Sequence, residues 1–152
     1  MLSRRNFLAG GAAVLAGCRK REAFSGYAFV ANQDGMAIAA VDLGAFAVAR
    51  LIHLNGHPTD VLSHPTRPSV YALTPENGRV HEIHTDRMVF ARSVAVARSA
   101  VVMRLSPDAQ SLYVLCAEPA SLIALSPSTF EVQWKTPLPG VPRDIDISAD
   151  GA

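Results

Sequence analysis

From Tyr27 onward the chain alternates short apolar runs with clusters of Pro, Gly, Asp, Asn and Ser. The runs are rich in Val, Ile, Leu, Tyr and Phe, as in Ser69–Thr74 and Leu112–Cys116, and none shows the 3.6-residue period of an amphipathic helix. Short β-rich runs bounded by turn residues read as strands. Four are predicted in succession over residues 59–96: Thr59–His64, Ser69–Thr74, Arg79–Thr85 and Val89–Val96. The connections His64-Pro65-Thr66-Arg67-Pro68, Pro75-Glu76-Asn77-Gly78 and Thr85-Asp86-Arg87 hold the residues that favour tight turns. Glycine and proline recur too often for long helices beyond the N-terminal segment.

This texture repeats. Pro65, Pro107 and Ala149 are spaced by 42 residues, as are Tyr71 and Tyr113. Asp60, Val102 and Asp144 keep that interval of 42, and so do Asp42, His84 and Ser126. Tyr27 precedes Tyr71 by 44, which reads as a two-residue insertion in the first unit. Four strands per unit at a period of roughly 40–45 residues predict an all-β fold of β-propeller blades. About three antiparallel four-stranded blades are expected between residues 27 and 152, as an incomplete ring.

Several segments then resemble a known family. Tyr27-Ala28-Phe29-Val30-Ala31-Asn32, Tyr71-Ala72-Leu73-Thr74 and Tyr113-Val114-Leu115-Cys116 are similar to the strand that names the YVTN β-propeller repeat. Gly56-His57-Pro58-Thr59-Asp60-Val61 and Gly140-Val141-Pro142-Arg143-Asp144-Ile145 resemble that family's Gly-x-x-Pro approach to the innermost strand. Leu105-Ser106-Pro107-Asp108-Ala109 and Ile147-Ser148-Ala149-Asp150-Gly151 resemble its Ser-Pro-Asp-Gly turn. The middle unit departs from the pattern with Arg98-Ser99-Ala100. There is no WD dipeptide of the WD40 type. The expected pieces are strands two to four of one blade, two whole blades, and a first strand at Arg143–Ser148. A propeller closes with at least about four blades. Two expectations follow: a fragment of a ring roughly twice as long, or a ring completed by assembly with other chains.

The first residues carry a different pattern. Met1-Leu2-Ser3-Arg4-Arg5-Asn6-Phe7-Leu8 is a short basic head, followed by an apolar stretch to Gly17 and then Cys18. This is the layout of an export signal over residues 1–17. Arg4-Arg5 resembles the twin-arginine signal, and Leu15-Ala16-Gly17-Cys18 resembles a bacterial lipobox. In such signals the cysteine is acylated and becomes the first mature residue. The run Phe7–Gly17 is far shorter than the roughly 20 residues a spanning helix needs. The expectation is an exported periplasmic or cell-surface lipoprotein, held on the membrane through acylated Cys18, with residues 18–26 as a tether.

Composition narrows the function. A net charge of +1 gives no electrostatic case for nucleic acid. With Cys18 acylated, Cys116 is left alone in an apolar run and reads as a buried, inert thiol. His81 and His84 are three residues apart on a strand leading into a turn, so they face opposite sides and do not form a ligand pair. No metal cluster, haem-attachment motif, phosphate loop or Ser-His-Asp order can be read, and the sequence names no cofactor.

The candidate ligand contacts are His57, on a loop running toward the central funnel, with Asp60, Arg143 and Asp144 at the innermost strands. Carboxylates there serve either acid–base or metal chemistry, or structural bonds to the neighbouring blade's backbone. The leading expectation is a membrane-tethered periplasmic module that binds a ligand or a protein. The alternative is an enzyme or enzyme subunit. The repeat family's resemblance extends to lactone-hydrolysing propellers, which would need funnel acids and a metal. It extends also to heavy chains of quinoprotein amine dehydrogenases, which would need a partner subunit holding the cofactor.

Overall fold

The computed structural model describes residues 24–150. Arg4, Arg5 and Cys18, and with them the expected signal and lipid site, lie outside the described residues.

The strands are β1 (Tyr27–Asn32), β2 (Ala37–Asp42), β3 (Ala47–His53), β4 (Asp60–Ser63), β5 (Ser69–Thr74), β6 (Arg79–His84) and β7 (Val89–Ala95). Then come β8 (Ser99–Leu105), β9 (Leu112–Glu118), β10 (Ala120–Leu125) and β11 (Val132–Pro137). They form three antiparallel meanders in the orders β1-β2-β3, β4-β5-β6-β7 and β8-β9-β10-β11. The helical content among the described residues is one 3-10 turn, Pro75–Asn77, closed by Gly78 in the left-handed conformation (φ 56°). The predicted bounds of the second blade hold to within a residue at each end. This is a β-propeller architecture: the described residues make an open arc of three blades.

The core lies between the blades, because alternate residues of each strand face opposite neighbours. Tyr71 and Leu73 of β5 join Met103, Leu112, Val114, Cys116, Ile123, Leu125 and Phe130 of the third blade. Ala72 and Ile83 instead face Ile38 and Ile52 of the first blade, with Phe29 and Met88 packed alongside. Cys116 is free and fully buried, and burial raises its thiol pKa.

Two expectations are corrected. Tyr27 pairs with Asp42 as Ser69 pairs with His84, so the first blade keeps the shift of 42 and has no insertion. Phe29, not Tyr27, is the counterpart of Tyr71: each faces the blade that follows it. The sequence offered two aromatics two residues apart, and packing rather than identity decides between them. The second correction concerns residues 143–148, which form no ladder among the described residues. Ile145 N–H bonds its neighbour Asp144 (2.8 Å) and Ile147 N–H bonds Asp146 (2.9 Å) instead of a partner strand. The segment nevertheless lies beside Tyr113, Leu122 and Trp134 on the third blade's outer face.

A local distortion recurs with the repeat. Each blade carries a β-bulge within the strand before its last, at Ala40/Val41 in β2, Glu82/Ile83 in β6 and Ala124/Leu125 in β10. The turns that follow end on residues of positive φ: Phe46 (53°), Met88 (52°) and Phe130 (66°). Each is 42 residues from the next. Asp42 Oδ1 accepts the Gly44 and Ala45 amides at 2.8 and 2.9 Å, and Ser126 Oγ accepts that of Thr129 at 3.3 Å. His84, in the same place, makes no such bond. The left-handed residue swings its side chain back toward the preceding blade. Phe130 stacks on Tyr71 with centroids 6.2 Å apart, and Met88 packs against the first blade. Phe46, with no earlier blade among the described residues, is 83% exposed.

Candidate functional site

Two ends of the arc can be distinguished. At the mouth, loops 54–59 and 96–98 lead into the innermost strands β4 and β8, beside the turns 33–36 and 75–78. The far end carries the turns 64–68, 85–88, 106–111 and 126–131.

Asp60 begins β4, Asp144 lies on the segment after β11 that forms no ladder, and one arginine joins them. Asp60 Oδ2 on β4 accepts the Met103 amide of β8 at 3.1 Å and lies 3.6 Å from Arg104 Nη1. Arg104 Nη2 reaches Asp144 Oδ1 at 3.4 Å, and Nη1 donates to the Met103 carbonyl at 2.8 Å. A chain Asp60–Arg104–Asp144 thus links the second blade, the third blade and the segment that follows β11. Asp60 holds blade to blade, bonding the next blade's backbone directly, while Asp144 meets Arg104 from the segment that follows β11. Arg143 is exposed and forms no salt bridge among the described residues. No group of acids, histidines and cysteines placed to hold a metal occurs among them.

His57 stands apart from that chain, at the mouth. Its amide donates to Glu76 Oε1 (2.5 Å), and its Nδ1 lies 2.9 Å from the Gln33 carbonyl. That carbonyl accepts, so Nδ1 donates to it, and the exposed ring leaves Nε2 without a partner among the described residues. Gly56 permits this placement: at φ 131° a Cβ would lie 2.6 Å from Glu76 Oε1 and 2.7 Å from Asn77 Nδ2. Asn77 ties the same loop down through the Asn55 carbonyl (2.6 Å). Its Oδ1 accepts from Thr74 Oγ1, which in turn lies 3.0 Å from His81 Nε2. The mouth loop is therefore fastened, through Asn77 and Thr74, to a buried histidine of β6.

His81 has no partner at Nδ1, and burial, reinforced by Arg79, lowers its pKa from 6.5 to about 4. The unfolded chain takes up the proton first as pH falls. Stability linked to His81 is thus complete above pH 6.5 and is lost as pH descends toward 4. Equilibrium unfolding of the full chain across that window should show the loss. His81→Gln should flatten it.

Sequence reasoning missed Arg104, Glu76 and Asn77, whose side chains reach partners 19 to 44 residues away along the chain. It missed too the bond between the second and third blades at the far end. There Glu82, 5% exposed, accepts Ser69 Oγ (2.9 Å) and Arg92 Nε (2.6 Å). The same guanidinium lies 4.8 Å above the Phe130 ring and donates to the carbonyls of Ser128 (2.9 Å) and Thr129 (3.0 Å). Tyr71 beneath it is wholly buried with an unpaired hydroxyl, and burial beside Glu82 pushes its pKa up to about 12.

Known structures share this architecture. Kuenenia stuttgartiensis hydrazine synthase superposes with a TM-score of 0.75 at 21% identity over 82% of this chain and 36% of its own. Citrobacter koseri AztD superposes at 0.64, with 21% identity over 79% of this chain and 35% of its own. The WD40 β-propeller domain of Doa1 gives 0.69 and 12% identity, over 82% of this chain and 41% of that one. The chain spans well under half the length of each, and identities this low show the fold alone. No protein-family model matches the sequence, and no curated protein does. The class is therefore that of β-propellers, a scaffold that serves catalysis and binding alike.

Proposed function

We propose that the chain is a binding module: a propeller tethered to the membrane through acylated Cys18 on the periplasmic or outer side, presenting its mouth loops to a protein or small ligand. The observation that carries this reading is the engagement of the funnel carboxylates. Asp60 and Asp144 are held by Arg104 and by backbone, while His57 is fixed on a fastened loop with Nε2 exposed. A pre-organised surface group suits recognition, since little ordering is left for the ligand to impose. The solved structures that share the fold include a dihydro-haem d1 dehydrogenase as well as AztD and the Doa1 domain, so the enzyme reading remains the competitor.

A photo-crosslinking amino acid at position 57 of the full chain tests the proposal in cells. A discrete adduct that is lost in Gly56→Val, with no lactone hydrolysis by the purified protein with or without divalent cations, is expected. Lactone hydrolysis that Asp60→Asn abolishes would replace binding by catalysis. For the tether, Cys18→Ser should move the protein from the membrane fraction to the soluble one. Retention after a high-salt wash would refute acylation as the anchor. Exchanging Arg4 and Arg5 for Lys should block export if the twin-arginine route is used.

A further inference from the structure

At the far end, the gap between the second and third blades opens into a cavity of about 550 Å³. Arg67, Arg87 and Arg92 line it, together with His84 and one acid, Glu82. That acid is already satisfied by Ser69 and Arg92. Arg67 and Arg87 form no salt bridge among the described residues. We propose that this cavity is a site for a phosphate-bearing anion, gripped by Arg67 and Arg87.

Three observations converge on it. The first is charge: guanidinium forks without carboxylate partners match the paired oxygens of a phosphate. Arg92, held in place by Glu82 and three carbonyls, adds a fixed positive charge to the wall.

The second is that the repeat does not require these cations. At a shift of 42, the counterparts of Arg67 are Ser25 and Ala109, and those of Arg87 are Ala45 and Thr129. The blade folds with small neutral residues in those places, and this cavity is where the two arginines meet.

The third is contrast. The equivalent gap between the first and second blades holds a cavity of about 440 Å³ that Asp86 shares with Arg67, so its charges oppose. Asp86 does not line the larger cavity. Phe90, 46% exposed, gives the larger cavity an apolar side against which the body of a phosphate ester would lie.

The chemistry recognised is common to a soluble phosphate compound and to an anionic lipid headgroup, and it does not depend on the mouth. The full chain is reconstituted into phosphatidylcholine vesicles, and hydrogen exchange is followed over residues 64–69 and 84–89. One arm adds inorganic pyrophosphate; the other replaces part of the lipid by phosphatidylglycerol. Saturable protection in the first arm identifies a soluble ligand, and protection in the second alone identifies a headgroup. In either arm R67A/R87A should weaken the effect by about tenfold or more. R98A/K135A, which removes as much charge elsewhere, should leave it intact. Unchanged exchange in β5 shows that the variants are folded. No protection in either arm, or equal losses in the two double variants, would overturn the proposal.

Discussion

Phe130→Ala is expected to lower stability by about 3–5 kcal/mol, the range for emptying a buried aromatic site. The ring is 6% exposed, stacked on fully buried Tyr71, and covered by the Arg92 guanidinium. Truncation would therefore leave a void in the centre of the contact between the second and third blades. The backbone supplies an internal check. Phe130 stands at φ 66°, which costs an L-residue about 1–2 kcal/mol and glycine almost nothing. Phe130→Gly should thus be less damaging than Phe130→Ala, although it removes more atoms. At the equivalent position Phe46 is 83% exposed, and Phe46→Ala should stay within about 0.5 kcal/mol of the wild type. Denaturant midpoints of the full chain measure all three. Equal losses at 46 and 130 would remove the argument that the turn side chain acts across the gap.

Arg92→Ala should cost about 3 kcal/mol, the scale for breaking a charge pair whose carboxylate is left buried. Glu82 would keep only the Ser69 hydroxyl, and the carbonyls of Ser128 and Thr129 would lose their donor. A neutral side chain would leave no charge stranded, so Glu82→Gln placed in the Arg92→Ala background should recover part of the loss. Arg92→Lys should not substitute, because an ammonium does not span carboxylate, carbonyls and ring together. Since Arg92 rests on Phe130, the two truncations share an interaction. The double variant should lose less than the sum of the two, and strict additivity would argue against the contact. If Glu82→Gln brought no recovery in Arg92→Ala, Glu82 would not be the group that the arginine serves.

The period, the strands of the second blade and the all-β class were legible because each rests on local signals: turn residues, alternation and an interval that recurs. The same markers misled at Tyr27, where a conspicuous aromatic stands two residues from the position that packing assigns to Phe29. The structural role weighed for Asp60, a bond to the next blade's backbone, is realised at Met103. Arg104 gave no signal, since its counterparts in the repeat are Leu62 and Asp146 and no shared type marks the place. The Glu82–Arg92–Phe130 cluster was equally silent. Arg92 meets carbonyls 35 to 37 residues onward, and backbone acceptors carry no trace of identity in a sequence.

The left-handed residue at the third turn of every blade has a consequence for cooperativity. Its strain is intrinsic to the blade that contains it, whereas the contact that offsets the strain belongs to the boundary with the neighbour. In a one-dimensional array, unfavourable intrinsic terms joined to favourable boundary terms sharpen the transition, because a unit alone gains nothing by ordering. Phe130 and Met88 each find their counterpart on the preceding blade, while Phe46 bears the strain with its ring in solvent. Melting should accordingly begin at the first blade's turn and travel inward, with the boundary between the second and third blades the last to separate.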